Sequence, residues 1–146
     1  MKLSSHFDLS EFTVSQTAAR LGFDNTPDAK ALAELQRTAE MLEKVRTVLG
    51  GRPIIISSGY RAPKVNAAVG GSSNSAHIWG GAADFTCPGF GTPLAICREL
   101  STYAEMLDFD QLIHEFGAWV HIGRAPAPRR QLLVIDSGGA RAVEAF

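Results

Sequence analysis

The sequence contains little of what disulfide-rich, membrane-spanning or nucleic-acid-binding proteins are built from. Two cysteines, Cys87 and Cys97, are too few for a disulfide framework; they could pair, but we expect both to be small buried residues. No apolar run approaches the roughly 20 residues that cross a bilayer, and residues 1–11 lack the apolar segment of a cleavable signal. The net charge of −1 argues against general affinity for nucleic acid or anionic membranes. The composition therefore predicts no membrane insertion and no nucleic-acid partner.

What is present is typical of an ordinary globular protein. Apolar residues make up 45% and charged residues 20% of the 146 positions. This length predicts a single domain, 1–146, with its core over about 6–135 and a loosely held tail over 137–146. The order of helix and strand signals predicts an α+β fold, in which helices pack on one side of an antiparallel-rich sheet.

Three segments carry this expectation. Thr26 as a cap, followed by Pro27 at the first helical position, predicts a helix that runs to about Leu49. The β-branched run at 53–58 predicts a central strand. Residues 109–122 predict a hairpin of two strands joined at a glycine turn.

One stretch carries the residue types of a metal site, although HExxH, CxxC and histidine-rich motifs are absent. His77 and Asp84 are seven positions apart, which on a helix would place them roughly 10 Å apart. Gly80 and Gly81 instead predict a turn, followed by a strand at 82–86 that brings the two side chains together. Spacing alone favours a surface histidine and a turn aspartate over a metal site.

A longer pattern changes that balance, because it resembles the zinc D-Ala-D-Ala carboxypeptidase and peptidoglycan endopeptidase family. This peptidase M15-type family includes bacteriophage endolysins, and its zinc fold is related to that of hedgehog signalling domains. The resemblance covers about 6–134, which is nearly the whole chain. The matching positions are Ser75, His77, Gly80, Ala82 and Asp84, then Trp119 and His121, and upstream the segment Ser58-Gly59-Tyr60-Arg61.

The resemblance implies a zinc ion bound by His77, Asp84 and His121. It implies hydrolysis of peptide bonds in peptidoglycan stem peptides by zinc-activated water, as a D,D-carboxypeptidase or an endopeptidase. Arg61 matches the arginine that anchors substrate in the family, although a surface arginine paired with a nearby acid is an equal alternative. Ser75 is a further substrate-binding candidate, with a local turn bond as its alternative.

Trp119 shares a strand face with His121 in the predicted hairpin, so we expect it to form a wall of the metal pocket and contact substrate. The general base is harder to assign. Many family members place an acid three positions before the last histidine, where this chain has Ala118. Glu115 lies six positions before His121, and hedgehog domains carry a glutamate at that offset. Glu115 is therefore the predicted catalytic base, with an ion pair to a surface arginine as the alternative.

Other functions stay open at the level of sequence. A non-catalytic, zinc-stabilised module that binds cell wall or protein is one alternative, and a zinc amidohydrolase of small dipeptides is another. We expect a monomer that is synthesised in the cytoplasm without a signal peptide. It would act on the cell wall after holin-type release, or as a component of a virion.

Overall fold

The computed structural model describes all residues from Met1 to Phe146. The helices are α1 (Leu9–Thr13), α2 (Gln16–Leu21), α3 (Ala29–Val48), α4 (Pro63–Ala68), α5 (Pro93–Ser101) and α6 (Ala104–Leu107). A short 3₁₀ helix at Ala76–Trp79, here called the His77 turn, precedes the second strand. The strands are β1 (Ile55–Ser58), β2 (Ala82–Thr86), β3 (Gln111–Glu115), β4 (Trp119–Gly123), β5 (Gln131–Asp136) and β6 (Gly139–Val143). None of the helices combines the length and apolar character needed to cross a bilayer.

The six strands form one sheet in the order β1-β2-β4-β3-β5-β6. All neighbouring strands are antiparallel except β3 and β5, which run parallel. The fold is therefore α+β with a mostly antiparallel sheet. The predicted position of β1 was wrong, because this strand lies at an edge of the sheet rather than at its centre. A run of β-branched residues marks a strand, but it does not say how many neighbours that strand will have.

The two faces of the sheet have different environments. Side chains of β2 and β4 on one face, such as Phe85 and Ile122, join the main apolar core with residues of α3 and α5. Asp84 and His121 alternate with these core residues along the strands. Because successive side chains of a strand point to opposite faces, the polar pair lies on the face away from this core.

The start of α3 differs from the prediction by two residues. Asp28, rather than Thr26, caps the helix, and its side chain accepts a hydrogen bond from the Ala31 backbone N–H. Asp24 accepts a hydrogen bond from the Thr26 backbone N–H at 2.9 Å, so Thr26 belongs to a turn before the helix. Aspartate and threonine both favour caps, and the local turn decides between them.

The expectation of a loosely held tail was also wrong. Residues 139–143 form β6, which pairs antiparallel with β5 over its whole length. Gly139 has φ +98°, and Asp136 accepts a hydrogen bond from the Gly138 backbone N–H in the connecting turn. The two glycines thus join two strands in a hairpin. Both cysteines are buried, as predicted, and they do not form a disulfide.

Candidate metal centre

Asp84 and His121 lie directly opposite each other on β2 and β4. His121 Nδ1 lies 2.9 Å from Asp84 Oδ1, and both residues are buried. Facing residues of an antiparallel pair have Cβ atoms about 5 Å apart, which brings two such side chains into contact. The register of the sheet therefore places these two predicted ligands together.

His77 reaches the same point from the turn that precedes β2. Gly80 has φ +83°, a conformation suited to glycine, and it ends the 3₁₀ helix so that the chain can enter the strand. A Cβ at Gly81 would lie 2.1 Å from the Trp79 ring, so any larger residue would require that ring to move. The predicted reversal at these glycines is present, and His77 Nε2 lies 3.3 Å from Asp84 Oδ1.

A set of hydrogen bonds to distant segments holds this turn in place. The Thr38 hydroxyl on α3, which is fully buried, donates to the Gly80 carbonyl at 2.7 Å. Arg124 follows β4; its backbone N–H donates to the Gly81 carbonyl at 2.8 Å, and its guanidinium donates to Thr38 Oγ1 at 3.2 Å. The same guanidinium forms an ion pair with Glu34. The sequence analysis did not predict this network.

The three side chains fit a divalent metal ion with a tetrahedral set of ligands. Their ligand atoms all lie within 4.8 Å of one another. The His77 Nδ1–H donates to the Gly59 carbonyl at 2.6 Å, so the lone pair of the neutral ring is on Nε2. That Nε2 atom is buried and has no hydrogen-bond partner, although it faces Asp84. Tetrahedral zinc with bonds of about 2.0–2.1 Å would separate its ligand atoms by roughly 3.3 Å, and His77 Nε2 lies 3.3 Å from Asp84 Oδ1.

The electrostatics of the cluster favour its metal-binding forms. Burial raises the pKa of the Asp84 carboxyl, but the neighbouring imidazoles of His121 and His77 outweigh this effect and hold its pKa well below the usual range. Burial lowers the pKa of His77, against the opposing effect of Asp84. An ionised carboxylate and a neutral imidazole are the forms that bind a metal ion.

Glu115 lies beside these ligands. It pairs with Trp119 across the β3–β4 hairpin, and its Oε1 is 3.9 Å from His121 Nδ1. Phe116 and Gly117, both with positive φ, form the turn of this hairpin. Burial raises the pKa of the Glu115 carboxyl, and the negative charge of Asp84 raises it further. The structure thus places the predicted base next to the predicted metal ligands.

The guanidinium of Arg61 is occupied by contacts within the protein. Its Nε donates to Ser58 Oγ at 3.3 Å, and its Nη1 donates to Asn66 Oδ1 at 3.0 Å. Its Nη2 lies 3.7 Å from Asp84 Oδ2. Arg61 therefore supports a metal ligand through an ion pair, and Asn66 is a partner that the sequence analysis missed.

The remaining two candidates, Ser75 and Trp119, lie on different elements. Ser75 caps the His77 turn, and its hydroxyl accepts a hydrogen bond from the His77 backbone N–H at 3.2 Å. Trp119 is half-buried, and its ring lies 5.6 Å from that of Phe116. The Trp119 Nε1–H is buried and has no hydrogen-bond partner. The observed bond of Ser75 is within the turn, and the contact of Trp119 with substrate stays a prediction.

A groove of about 900 Å³ lies between the start of α3 and the His77 turn. None of the three candidate ligands lines it. Several of its charged residues already have partners: Glu34 contacts Arg37 and Arg124 within the groove, and Asp110 contacts Arg129 outside its lining. The unpartnered imidazole nitrogen, rather than the size of a groove, therefore locates the candidate site.

The sequence model of the family described as peptidase M15 matches residues 5–123, which is most of the chain. The chain belongs to the peptidase M15 family. It is also 41% identical over 56 residues to a zinc D-Ala-D-Ala carboxypeptidase from Streptomyces albus G. That alignment covers 38% of this chain and 22% of the Streptomyces protein. The family match ends at Gly123, so the β5–β6 hairpin lies outside it. The predicted family is confirmed.

Proposed function

We propose that this M15 family member is a zinc peptidase that hydrolyses peptide bonds in peptidoglycan stem peptides. The observation that carries the proposal is the convergence of His77, Asp84 and His121, with one imidazole nitrogen that is buried and unpartnered. Two histidines and one carboxylate are a donor set that catalytic zinc sites use. The similarity to a zinc D-Ala-D-Ala carboxypeptidase supports both the metal and the class of substrate.

A zinc ion bound there would lower the pKa of water toward about 7 and polarise the scissile carbonyl. Glu115 is the group of this chain that would take the proton of the attacking water and deliver it to the leaving amine. Its Oε1 is within 3.9 Å of a ligand atom, which is close enough to reach a water at the open position. Its raised pKa also suits a residue that accepts and then returns a proton near neutral pH.

The other candidate residues have positioning roles in this proposal. Arg61 holds Asp84, and it anchors a substrate carboxylate only if it exchanges one of its internal partners. Trp119 forms the wall beside Glu115 and contacts substrate, and Ser75 orients the backbone of His77.

We further propose that the protein reaches the cell wall after synthesis in the cytoplasm, by holin-type release or as part of a virion, and that it acts as a monomer.

The test is digestion of purified peptidoglycan with zinc-loaded protein. New amino groups should appear with wild type and not with His77→Ala, and mass spectrometry of the products identifies the bond that is cut. Folding of the variant is checked by circular dichroism. If folded, zinc-loaded wild type releases no amino groups, the peptidase proposal is wrong.

One observation favours a second candidate, the non-catalytic zinc-stabilised module. Ala118 occupies the position where many family members carry an acid. Zinc content does not distinguish the two functions, because both bind the metal. Binding of the zinc-loaded protein to intact peptidoglycan without release of amino groups would establish the module instead.

A further inference from the structure

A groove of about 440 Å³ runs along β1, the edge strand next to β2. We call it the β1 groove; its walls include Val14, Ser57, Ser58, Arg61, Val65 and Val69. Val14 is 70% exposed and Val69 is 48% exposed, while Val65 between them is buried. A volume of this size lies within the range of about 300–1,000 Å³ that is typical of ligand pockets.

The β1 groove leads to the candidate metal centre. Ser58 faces Asp84 in the register of β1 and β2, and the Ser57 hydroxyl donates to the Asp84 backbone carbonyl at 3.3 Å. Arg61 contacts the Asp84 carboxylate from the same side. None of the three candidate ligands lines the groove, but three of its lining residues adjoin Asp84, which makes it the neighbouring surface for a chain that continues past this ligand.

Arg61 does not present a free cation at the entrance. Its side chain is 17% exposed, and its nitrogen atoms face Ser58, Asn66 and Asp84. A site that binds the terminal carboxylate of a short substrate would need an unpaired cation at the entrance of the groove. The lining also includes Val14 and Val69, and a volume of about 440 Å³ has room for more than one residue.

The lining fits one kind of occupant. Valine side chains offer apolar contact to short alkyl groups, and the serine hydroxyls can donate to or accept from backbone amides. The groove has one charged lining residue, Arg61, and that residue is already paired. An extended, uncharged peptide segment with small side chains matches this surface.

We propose that the β1 groove binds the peptide chain on one side of the scissile bond, over more than one residue. The inference rests on the proposed peptidase function and extends it. The protein should therefore cleave peptides that continue past the scissile bond more efficiently than peptides that end beside it.

The experiment compares synthetic stem peptides that share one scissile bond. One peptide ends beside the bond, and the others are extended by small residues at the amino or the carboxyl side. With zinc-loaded wild type, kcat/KM for one extended series should be about tenfold higher than for the short peptide, because additional contacts lower the transition state. Val14→Lys and Val69→Lys, both in the groove lining, should remove most of this preference. Met106→Lys changes an equally exposed apolar residue of α6 and should keep it.

Equal kcat/KM for short and extended peptides would overturn the inference and leave the peptidase function intact. Retention of the full preference by both valine variants would overturn it as well. Thermal unfolding of the three lysine variants checks that each one is folded. If zinc-loaded wild type cuts no peptide of any length, the proposed function is wrong and the inference is wrong with it.

Discussion

The candidate ligands reach the metal centre in two different ways. Asp84 and His121 face each other on adjacent strands, so the backbone ladder of the sheet fixes their spacing. His77 lies on a 3₁₀ turn that no strand pairing supports. Its position depends on hydrogen bonds from its ring to the Gly59 carbonyl and from Thr38 to the Gly80 carbonyl.

This difference shows where the site is robust and where it is sensitive. A strand pair buried against the core keeps its register as long as the sheet is folded. A turn held by a few side-chain bonds can shift when one distant partner is removed, because loops have lower local stability than core strands. We therefore expect changes around the sheet to affect stability mainly, and changes around the His77 turn to affect metal affinity as well.

The largest effect is expected from His77→Ala. Loss of a partner behind a ligand typically costs about 10–100-fold in metal affinity, so loss of the ligand itself should exceed this and reduce turnover to background. Equilibrium dialysis against a zinc buffer measures the affinity. His114→Ala, on the opposite face of β3, is the matched control and should bind zinc as wild type does. Wild-type affinity in His77→Ala would mean that the sheet pair suffices without the turn.

Glu115→Gln tests a residue that strand pairing, rather than the His77 turn, holds in position. Removal of a general base lowers turnover by about 10²–10⁴-fold, while zinc affinity should stay unchanged because Glu115 is not among the three candidate ligands. Peptide hydrolysis and zinc titration are measured on the same preparation. Glu105→Gln, on α6, is the control. Turnover within tenfold of wild type would exclude Glu115 as the base.

Thr38→Val and Val120→Ala separate the two modes of support directly. Thr38→Val leaves the Gly80 carbonyl without its donor, which costs about 1–3 kcal/mol of unfolding free energy and should weaken zinc binding about tenfold. Val120→Ala creates a cavity in the core under β4 and should cost about 2 kcal/mol, with zinc affinity close to that of wild type. Urea unfolding and zinc titration provide the two values. Equal losses of affinity in both variants would contradict the distinction.

Ser75→Ala probes the start of the turn. Loss of a capping hydroxyl typically lowers the free energy of unfolding by about 0.5–2 kcal/mol. We expect a value at the low end of this range, because the capped 3₁₀ helix has only four residues. KM for peptide should not change. A raised KM with wild-type zinc affinity would show instead that Ser75 contacts substrate.

The smallest expected effect is on the stability of the metal-free protein. The raised pKa of Glu115 means that the fold favours its protonated form. At neutral pH the ionised carboxylate lowers the free energy of unfolding, and below the unfolded pKa of about 4.3 the residue is protonated in both states. Metal-free Glu115→Gln should therefore be more stable than wild type at pH 7. The difference should shrink as pH falls through the folded pKa, measured by urea unfolding. A difference that grows toward low pH would contradict the shift.

The errors of the sequence analysis have a common origin. The edge position of β1, the capping of α3 by Asp28 and the pairing of β6 all depend on which neighbours a segment meets. Local patterns report the type of an element and not its neighbours. The hairpin at 109–122 was predictable because both of its strands and its turn lie within one short stretch.

The sequence by itself determined which residues can serve as ligands, the reversal at Gly80 and Gly81, and the strands that carry Asp84 and His121. These follow from local chemistry: glycine permits the turn, and alternation assigns the faces of a strand. Only the tertiary structure decided how His77 is held, that Arg61 pairs with Asp84, and that a groove continues beyond them. Those contacts join segments that are distant in the chain, and no spacing or periodicity in the sequence records them.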